Sequence, residues 1–333
     1  MECYLQSLAI RKETDGEDNA DVAVTYNNIG RLYLRKGDPE QGLQYINQAL
    51  DINIRVYGDN DTRVATCYDN LGNIYNALGN TEKALENANN ALAIWKSVLG
   101  ENHPNFASTY SLIAHILYNQ GNFEEALQYY SKVLEIMKSN FGEYHPKVAS
   151  GYGNVGMAYE KMGDHEKAIE NLLKAISIKT TLLRENRPDP ELALFYNNIG
   201  SLYLNHKEYD KALECHNKAL SIRKEVFGED NLKVAVSYNN VGKAYCELGD
   251  YEKALENYNK ALNIKKSLYG EGRTELALNY YNIGDAYDKQ ENYEKAMEYY
   301  NTALSLWEKA YGSDDERTAK AKDKISAIQN RKN

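Results

Sequence analysis

Residues able to do catalytic or metal chemistry are present in this chain, but their spacing matches no reactive arrangement. The six histidines are scattered, and the four cysteines form no CxxC pair. The chain contains no glycine-rich phosphate loop, no HExxH and no nucleophile elbow. The His-Pro pairs at His103 and His145 lie where helices are predicted to begin, so we interpret both histidines as N-caps and not as metal ligands. We therefore expect a protein without enzyme activity, cofactor or metal.

A recurring asparagine is the residue whose chemistry fits binding. Its side-chain amide offers both a hydrogen-bond donor and an acceptor, which is what gripping the main chain of an extended peptide requires. Asparagine is unfavourable inside a helix, so its return at one fixed place needs a reason. The alternative is that it joins neighbouring helices or is a relic of duplication. The column consists of Asn28, Asn70, Asn154, Asn198, Asn240 and Asn282, and Leu112 is the exception.

These asparagines belong to a repeat that runs through the whole chain. A tyrosine precedes each column position by two residues, and the successive tyrosines are 42, 42, 42, 44, 42 and 42 residues apart. A fixed period of this size predicts a repeat array. We number each unit so that this tyrosine is position 4 and the asparagine is position 6. The tyrosines are Tyr26, Tyr68, Tyr110, Tyr152, Tyr196, Tyr238 and Tyr280.

Each unit contains two stretches of helical periodicity, which must position the asparagine. Between them stands a turn, such as Gly249-Asp250. The unit is therefore predicted to be two antiparallel helices, A and B. Positions 8, 20 and 27 are almost always Gly or Ala, which predicts close approach of the helices there. The tyrosines at positions 4 and 11 are expected to fill the remaining gaps.

This pattern resembles the tetratricopeptide repeat. The longer corners Leu99–Ala107 and Phe141–Ala149, each with a Gly-Glu step, are similar to the 42-residue repeats of kinesin light chains and nephrocystin-like proteins. The resemblance implies an all-α, right-handed superhelical solenoid whose A helices line a concave groove. It also implies that positions 2, 5, 6, 9, 12 and 13 face the groove, and that the asparagine binds peptide main chain. Unlike kinesin light chains, the chain has no heptads, and it has Tyr where they tend to have Leu at position 4.

The repeat divides the chain into three parts within one solenoid. Residues 1–18 match a helix B without its helix A, residues 19–314 hold seven pairs, and residues 315–333 are predicted to be a capping helix. A two-residue insertion with two prolines near residues 182–190 is the one break in the period. The initial half-repeat favours a fragment of a longer protein over an unusual cap.

Further groove residues are predicted from position 9 and from the third pair. Arg31, Arg35 and Lys243 supply positive charge, whereas Asp285 and Asp288 supply negative charge. A ligand is therefore expected to place its acidic part near the N-terminal end. In the third and fourth pairs, an apolar socket for a ligand side chain is predicted, with the alternative that Leu112 packs against a neighbouring helix. The predicted socket residues are Leu112, His115, Tyr118, Gly153 and Met157.

The expected role is a scaffold or adaptor that binds an extended peptide of a partner protein. The alternative is a regulatory array that controls an enzymatic or nucleotide-binding domain outside these residues. A net charge of −9 argues against a nucleic-acid partner. No apolar run is long enough to span a membrane, and no signal peptide precedes the repeats, so we expect a cytoplasmic protein with reduced cysteines. End-to-end self-association through the N-terminal half-repeat is left open.

Overall fold

The structure is a computed structural model that describes residues 2–100, 103–182 and 188–332. In this part of the chain the regular structure consists of sixteen α-helices and one short 3-10 turn. The chain divides into two compact units, Met1–Ile178 and Lys179–Asn333. The predicted all-α fold is confirmed. Most of the predicted insertion near residues 182–190 lies outside the described residues.

The helices are numbered in chain order. Odd numbers are B helices and even numbers occupy A positions, so the seven pairs begin with the second and third helices and end with the fourteenth and fifteenth. The earlier helices are α1 (Glu2–Asp15), α2 (Ala20–Lys36), α3 (Pro39–Tyr57), α4 (Thr62–Ala77), α5 (Thr81–Leu99), α6 (Phe106–Asn119), α7 (Phe123–Phe141), α8 (Pro146–Met162) and α9 (His165–Leu182). The later helices are α10 (Pro190–Asn205), α11 (Tyr209–Phe227), α12 (Leu232–Leu248), α13 (Tyr251–Tyr269), α14 (Ala277–Lys289), α15 (Tyr293–Tyr311) and α16 (Glu316–Lys332). The 3-10 turn Thr274–Leu276 precedes α14.

Side chains cap the starts of several A helices, as the sequence predicts. Asp61 Oδ1 accepts a hydrogen bond from the backbone N–H of Arg63 at 2.8 Å, and Asn19, Asp189 and Asn231 do the same two residues ahead. His145 Nδ1 accepts from the N–H of Lys147 at 3.2 Å, so its predicted capping role is confirmed. His103 makes a similar bond to Asn105 at 3.3 Å, but α6 begins later, at Phe106.

The turn between helix A and helix B needs one residue with positive φ, at position 15. Glycine holds this place in five pairs, as at Gly249 with φ 84°. Lys207 and Glu291 occupy the same position with φ 61° and 62°. Because a Cβ crowds the backbone in this region, these two residues carry strain that glycine avoids.

Contact between position 8 of helix A and position 24 of helix B sets how closely the two helices pack. A Cβ placed on Gly242 would lie 2.8 Å from the ring of Tyr258, and one placed on Gly284 would lie 2.9 Å from that of Tyr300. The small residue therefore makes room for the large one. The close approach of the helices at position 8 agrees with the sequence prediction, whereas the partner at position 24 was not predicted.

In four of the loops that follow a B helix, a cationic side chain lies over an aromatic ring. The Arg63 guanidinium lies 3.9 Å from the ring centroid of Tyr57, and that of Arg317 lies 3.6 Å from the centroid of Tyr311. Lys147 over Phe141 and Lys233 over Phe227 repeat the arrangement. Each contact joins the end of a B helix to the start of the next A helix.

Candidate functional site

The A helices of the second unit border a cleft of about 580 Å³. Four successive groove positions line it from α12, and the same four line it from α14. Those of α12 are Val236, Asn239, Asn240 and Lys243, and those of α14 are Leu278, Tyr281, Asn282 and Asp285. Lys320 and Lys324 of α16 close one side. We call this surface the unit 2 cleft.

A buried ammonium from helix B forms part of the cleft. Lys265 of α13 is 8% exposed, and its Nζ donates to Asn279 Oδ1 at 2.8 Å and to the backbone carbonyl of Glu275 at 3.3 Å. Asn279 Nδ2 in turn donates to Asn239 Oδ1 at 3.0 Å. Burial lowers the pKa of Lys265, opposed by the charge of Glu275. Since Asn239 Oδ1 accepts this bond, its amide is held in one orientation.

Two of the predicted asparagines connect neighbouring A helices. Asn70 Nδ2 donates to Asn27 Oδ1 at 2.7 Å, and Asn240 Nδ2 donates to Asn197 Oδ1 at the same distance. These bonds match the alternative that the sequence left open, in which the asparagine joins helices. They leave the Oδ1 of each of these asparagines, and one N–H, for other partners.

The other asparagines of the column are partly exposed on their A helices. Asn282 lines the unit 2 cleft. Asn28 lines a smaller cavity of about 140 Å³ in the first unit, together with the predicted Arg31 and Arg35. Asn154 and Asn198 lie on α8 and α10. The structure thus brings Asn240, Asn282 and Lys243 to one cleft and Asn28, Arg31 and Arg35 to another.

Leu112 is not an open groove residue, which matches the alternative that the sequence left open, in which it packs against a neighbouring helix. Its side chain is 5% exposed, and its Cδ2 would lie 2.9 Å from a Cβ placed on Gly72. Gly72 belongs to the second pair, in which position 24 is Ala88. Ala88 is too small to cover Gly72, and Leu112 of the next A helix occupies the space. The physical reason for the missing asparagine is therefore packing.

The remaining residues of the predicted socket differ in packing and exposure. Tyr118 packs on the rings of Phe123 and Tyr130, at centroid distances of 5.4 and 6.5 Å. Burial and the nearby Glu160 carboxylate raise the pKa of Tyr118. Gly153 is buried, Met157 is half-buried and His115 is exposed.

The acidic residues expected at the C-terminal end of the groove are neutralised within the chain. Lys324 Nζ lies 2.6 Å from Asp285 Oδ1 and 3.5 Å from Asp288 Oδ2. Arg331 lies 3.5 Å from Asp288, and Lys289 lies 2.7 Å from Glu247. The expectation of a negative end, which rested on Asp285 and Asp288 alone, is therefore wrong. The α16 cations that cause this were counted as part of a solvated cap.

Sequence reasoning missed the apolar character of position 2 in the second unit. Leu194, Val236 and Leu278 are 41%, 41% and 51% exposed on three successive A helices. Reading position 2 as a column, as was done for position 6, would have revealed them.

A buried histidine lies beside Gly200 in the pair α10/α11. His216 is 1% exposed, and neither ring nitrogen has a hydrogen-bond partner among the described residues. Burial, together with the charges of Arg223 and Lys243, lowers the pKa of His216 to about 4. It occupies the position that Tyr258 and Tyr300 hold in the next two pairs.

Across the described residues, no three His, Cys, Asp or Glu side chains come together as a metal site would require. None of the described helices combines the length and the apolarity needed to cross a membrane.

The fold defines an all-helical repeat protein. The tetratricopeptide repeat family model matches residues 2–53, 21–97, 68–111, 105–181, 191–267 and 273–333. The chain therefore belongs to the tetratricopeptide repeat family, whose members generally act as protein–protein interaction scaffolds. The resemblance drawn from the sequence is confirmed.

Solved structures with the same fold include BtubC (BKLC) from P. vanneervenii, 24% identical, which matches 70% of this chain and 92% of that one with a TM-score of 0.60. The apo form of RapI is 19% identical, with 93% and 85% covered and a TM-score of 0.71. A putative kinesin light chain from Podosopora anserina, with nearly identical TPR-like repeats, is 17% identical, with 63% and 98% covered and a TM-score of 0.56. At these identities the likeness concerns the fold alone. No curated protein matches this chain in sequence.

Proposed function

We propose that this chain is a scaffold, and not an enzyme, that binds an extended peptide segment of a partner protein along the A helices of its second unit. The observation that carries the proposal is the unit 2 cleft, where Asn240 and Asn282 stand on neighbouring A helices beside exposed apolar and basic side chains. Amide groups that recur from helix to helix suit a peptide main chain, because its N–H and C=O groups recur as well.

The size of the surface suits a short segment. Helices that pack together are about 8–10 Å apart, and an extended chain advances about 3.3 Å per residue, so successive A helices match about every third residue. A segment of about ten residues would therefore cross α10, α12 and α14.

A random peptide library displayed on phage and selected against the chain tests the proposal. Selected peptides are synthesised, and their dissociation constants are measured by fluorescence anisotropy. Each main-chain hydrogen bond is worth about 1 kcal/mol, so the double variant Asn198→Ala with Asn282→Ala should bind roughly tenfold or more weakly. These two asparagines are chosen because Asn240 also joins α10 to α12.

The matched control uses the same change on the B helices. Asn217 and Asn301 are exposed on α11 and α15, in the pairs that hold Asn198 and Asn282. Asn217→Ala with Asn301→Ala should leave the affinity unchanged, and circular dichroism should show equal helical content in all three proteins. A library without enriched peptides, or equal loss in both double variants, would reject the proposal.

A further inference from the structure

Position 2 of the second unit forms one ordered column along the A helices. From α10 to α16 it consists of Leu194, Val236, Leu278 and Lys320. The first three are apolar and exposed, and we call them the apolar rail. Single exposed apolar residues are ordinary, but three at the same position of successive A helices form a row that a single ligand can follow. The row ends at a cation.

The cleft beside the rail holds positive charge that the chain does not neutralise. Lys243 and Lys320 have no carboxylate within ion-pair distance among the described residues. The carboxylates of Glu247 and Asp285 already form ion pairs with the ammonium groups of Lys289 and Lys324, with N–O distances of 2.7 and 2.6 Å. This excess of cations stands out because the whole chain carries a net charge of −9. Local charge of this sign favours an anionic partner.

Lys265 adds a buried charge whose bonding partners are neutral oxygens. Both of its hydrogen bonds, to Asn279 Oδ1 and to the Glu275 carbonyl, use neutral acceptors. An ammonium removed from water without a carboxylate is unfavourable, and an anion placed nearby in the cleft would offset that cost. Lys179, at the same repeat position two pairs earlier, shows the contrast, because it is paired with Asp189 and Glu191.

We propose that the unit 2 cleft selects a peptide segment with apolar side chains spaced along the rail and an acidic side chain at the Lys320 end. This inference rests on the proposed function and adds the chemistry of the ligand. A segment in the polyproline II conformation has three residues per turn and a rise of about 3.1 Å per residue, so every third side chain lies on one face at about the spacing of the A helices. Its apolar residues therefore stand three apart, and the carboxylate follows the last of them.

The test compares peptides that differ only in charge. The probes are acetylated, amidated peptides with a leucine at every third place, glycine and serine between, and two glutamates at one end. A second set carries lysines instead, and each set is made with the charges at either end. The protein variants are Lys320→Glu and, as the control, Lys309→Glu, which changes an exposed lysine of helix B α15.

The proposal predicts that the better of the two glutamate peptides binds at least tenfold more tightly than either lysine peptide at low salt. The preference should shrink at high salt, because charges are screened. Lys320→Glu should abolish or reverse it, and Lys309→Glu should leave it. Equal binding of both charge types, or a preference that survives Lys320→Glu, would overturn the inference while leaving the proposed function intact. If no library or designed peptide binds, both fail together.

Discussion

The ammonium of Lys265 lies 2.8 Å from Oδ1 of Asn279, which is fully buried at the start of α14. The same place in the preceding pair is held by Arg223, which donates to Ser237 Oγ at 2.7 Å. A polar contact from the end of helix B to position 3 of the next helix A therefore recurs in the second unit. The contact joins consecutive pairs, and Lys265 also lines the unit 2 cleft.

Removing only one member of this contact should destabilise the protein more than removing the whole polar group. Lys265→Met leaves Asn279 Oδ1 buried without a donor, which costs about 1–3 kcal/mol. Because Asn279 also donates to Asn239 Oδ1, the compensated variant combines Lys265→Met with Asn279→Leu and Asn239→Leu. It replaces all three polar groups by apolar ones and should recover most of the loss, since such exchanges are often close to neutral. The measurement is the free energy of unfolding in urea. A single variant at least as stable as the compensated variant would contradict the account.

The buried His216 should make the second unit less stable in acid. Its folded pKa is about 4 and its ordinary value is 6.5, so the unfolded chain takes up a proton first as the pH falls. The contribution of the neutral His216 to the free energy of unfolding is complete above about pH 7. It declines between pH 6.5 and 4 and is lost below that, a change of about 3 kcal/mol.

His216→Tyr provides the matched comparison, because Tyr258 and Tyr300 fill this position over a glycine in the next two pairs. The difference in unfolding free energy between the tyrosine variant and the natural chain should grow from pH 7 to pH 4. A difference that stays constant over this range would show that His216 is not the residue responsible.

Restoring the asparagine at position 6 of the third pair should harm the fold. Leu112→Asn removes the group that covers Gly72 and places an amide in a buried space, at a cost of about 2–5 kcal/mol. Adding Ala88→Leu should recover part of it, because Leu172 covers Gly156 in the fourth pair, where position 6 is asparagine. Thermal denaturation monitored by circular dichroism measures both. No recovery in the double variant would argue against packing as the reason for Leu112.

Replacing Lys207 by glycine should stabilise the protein, because it removes backbone strain from this turn. A side chain at positive φ costs about 1–2 kcal/mol, whereas glycine loses about 0.5–1 kcal/mol of chain entropy on folding, so Lys207→Gly should gain up to about 1 kcal/mol. Gly249→Ala, at the same position of the next pair, should lose a similar amount although its Cβ would meet no neighbour within 4 Å. Lys161→Gly, inside α8, serves as the control and should lose stability. Stabilisation by all glycine substitutions alike would refute the argument.

The repeat period was enough to predict the helix pairs, the capping role of His145 and the close approach of the helices at small residues such as Gly242. These features depend on neighbours that return at a fixed spacing. The sequence left the role of Leu112 open between groove and packing because its partner Gly72 is 40 residues away, and the space it fills exists only because Ala88 is small. The period compares equivalent positions, so it does not reveal that a side chain in one pair fills the space left by a small residue in another.

Charge in the groove was predicted less well than packing. Asp285 was assigned to a negative surface because its own helix carries a second acid, Asp288. Lys324 and Arg331 on α16 together neutralise both, and the period alone does not say which side chains meet across helices. The contribution of Lys265 was also missed, since a lysine near the end of helix B is usually a solvated residue.

The central claim is that a peptide binds along the A helices of the second unit, and photo-crosslinking tests it most directly. A library-selected peptide with a benzophenone at its central position is irradiated with the chain, and the adducts are located by mass spectrometry after digestion. The account predicts adducts on α12, α14 and α16, near Val236, Leu278 or Lys320. Adducts confined to B helices, or spread evenly over both units, would contradict it.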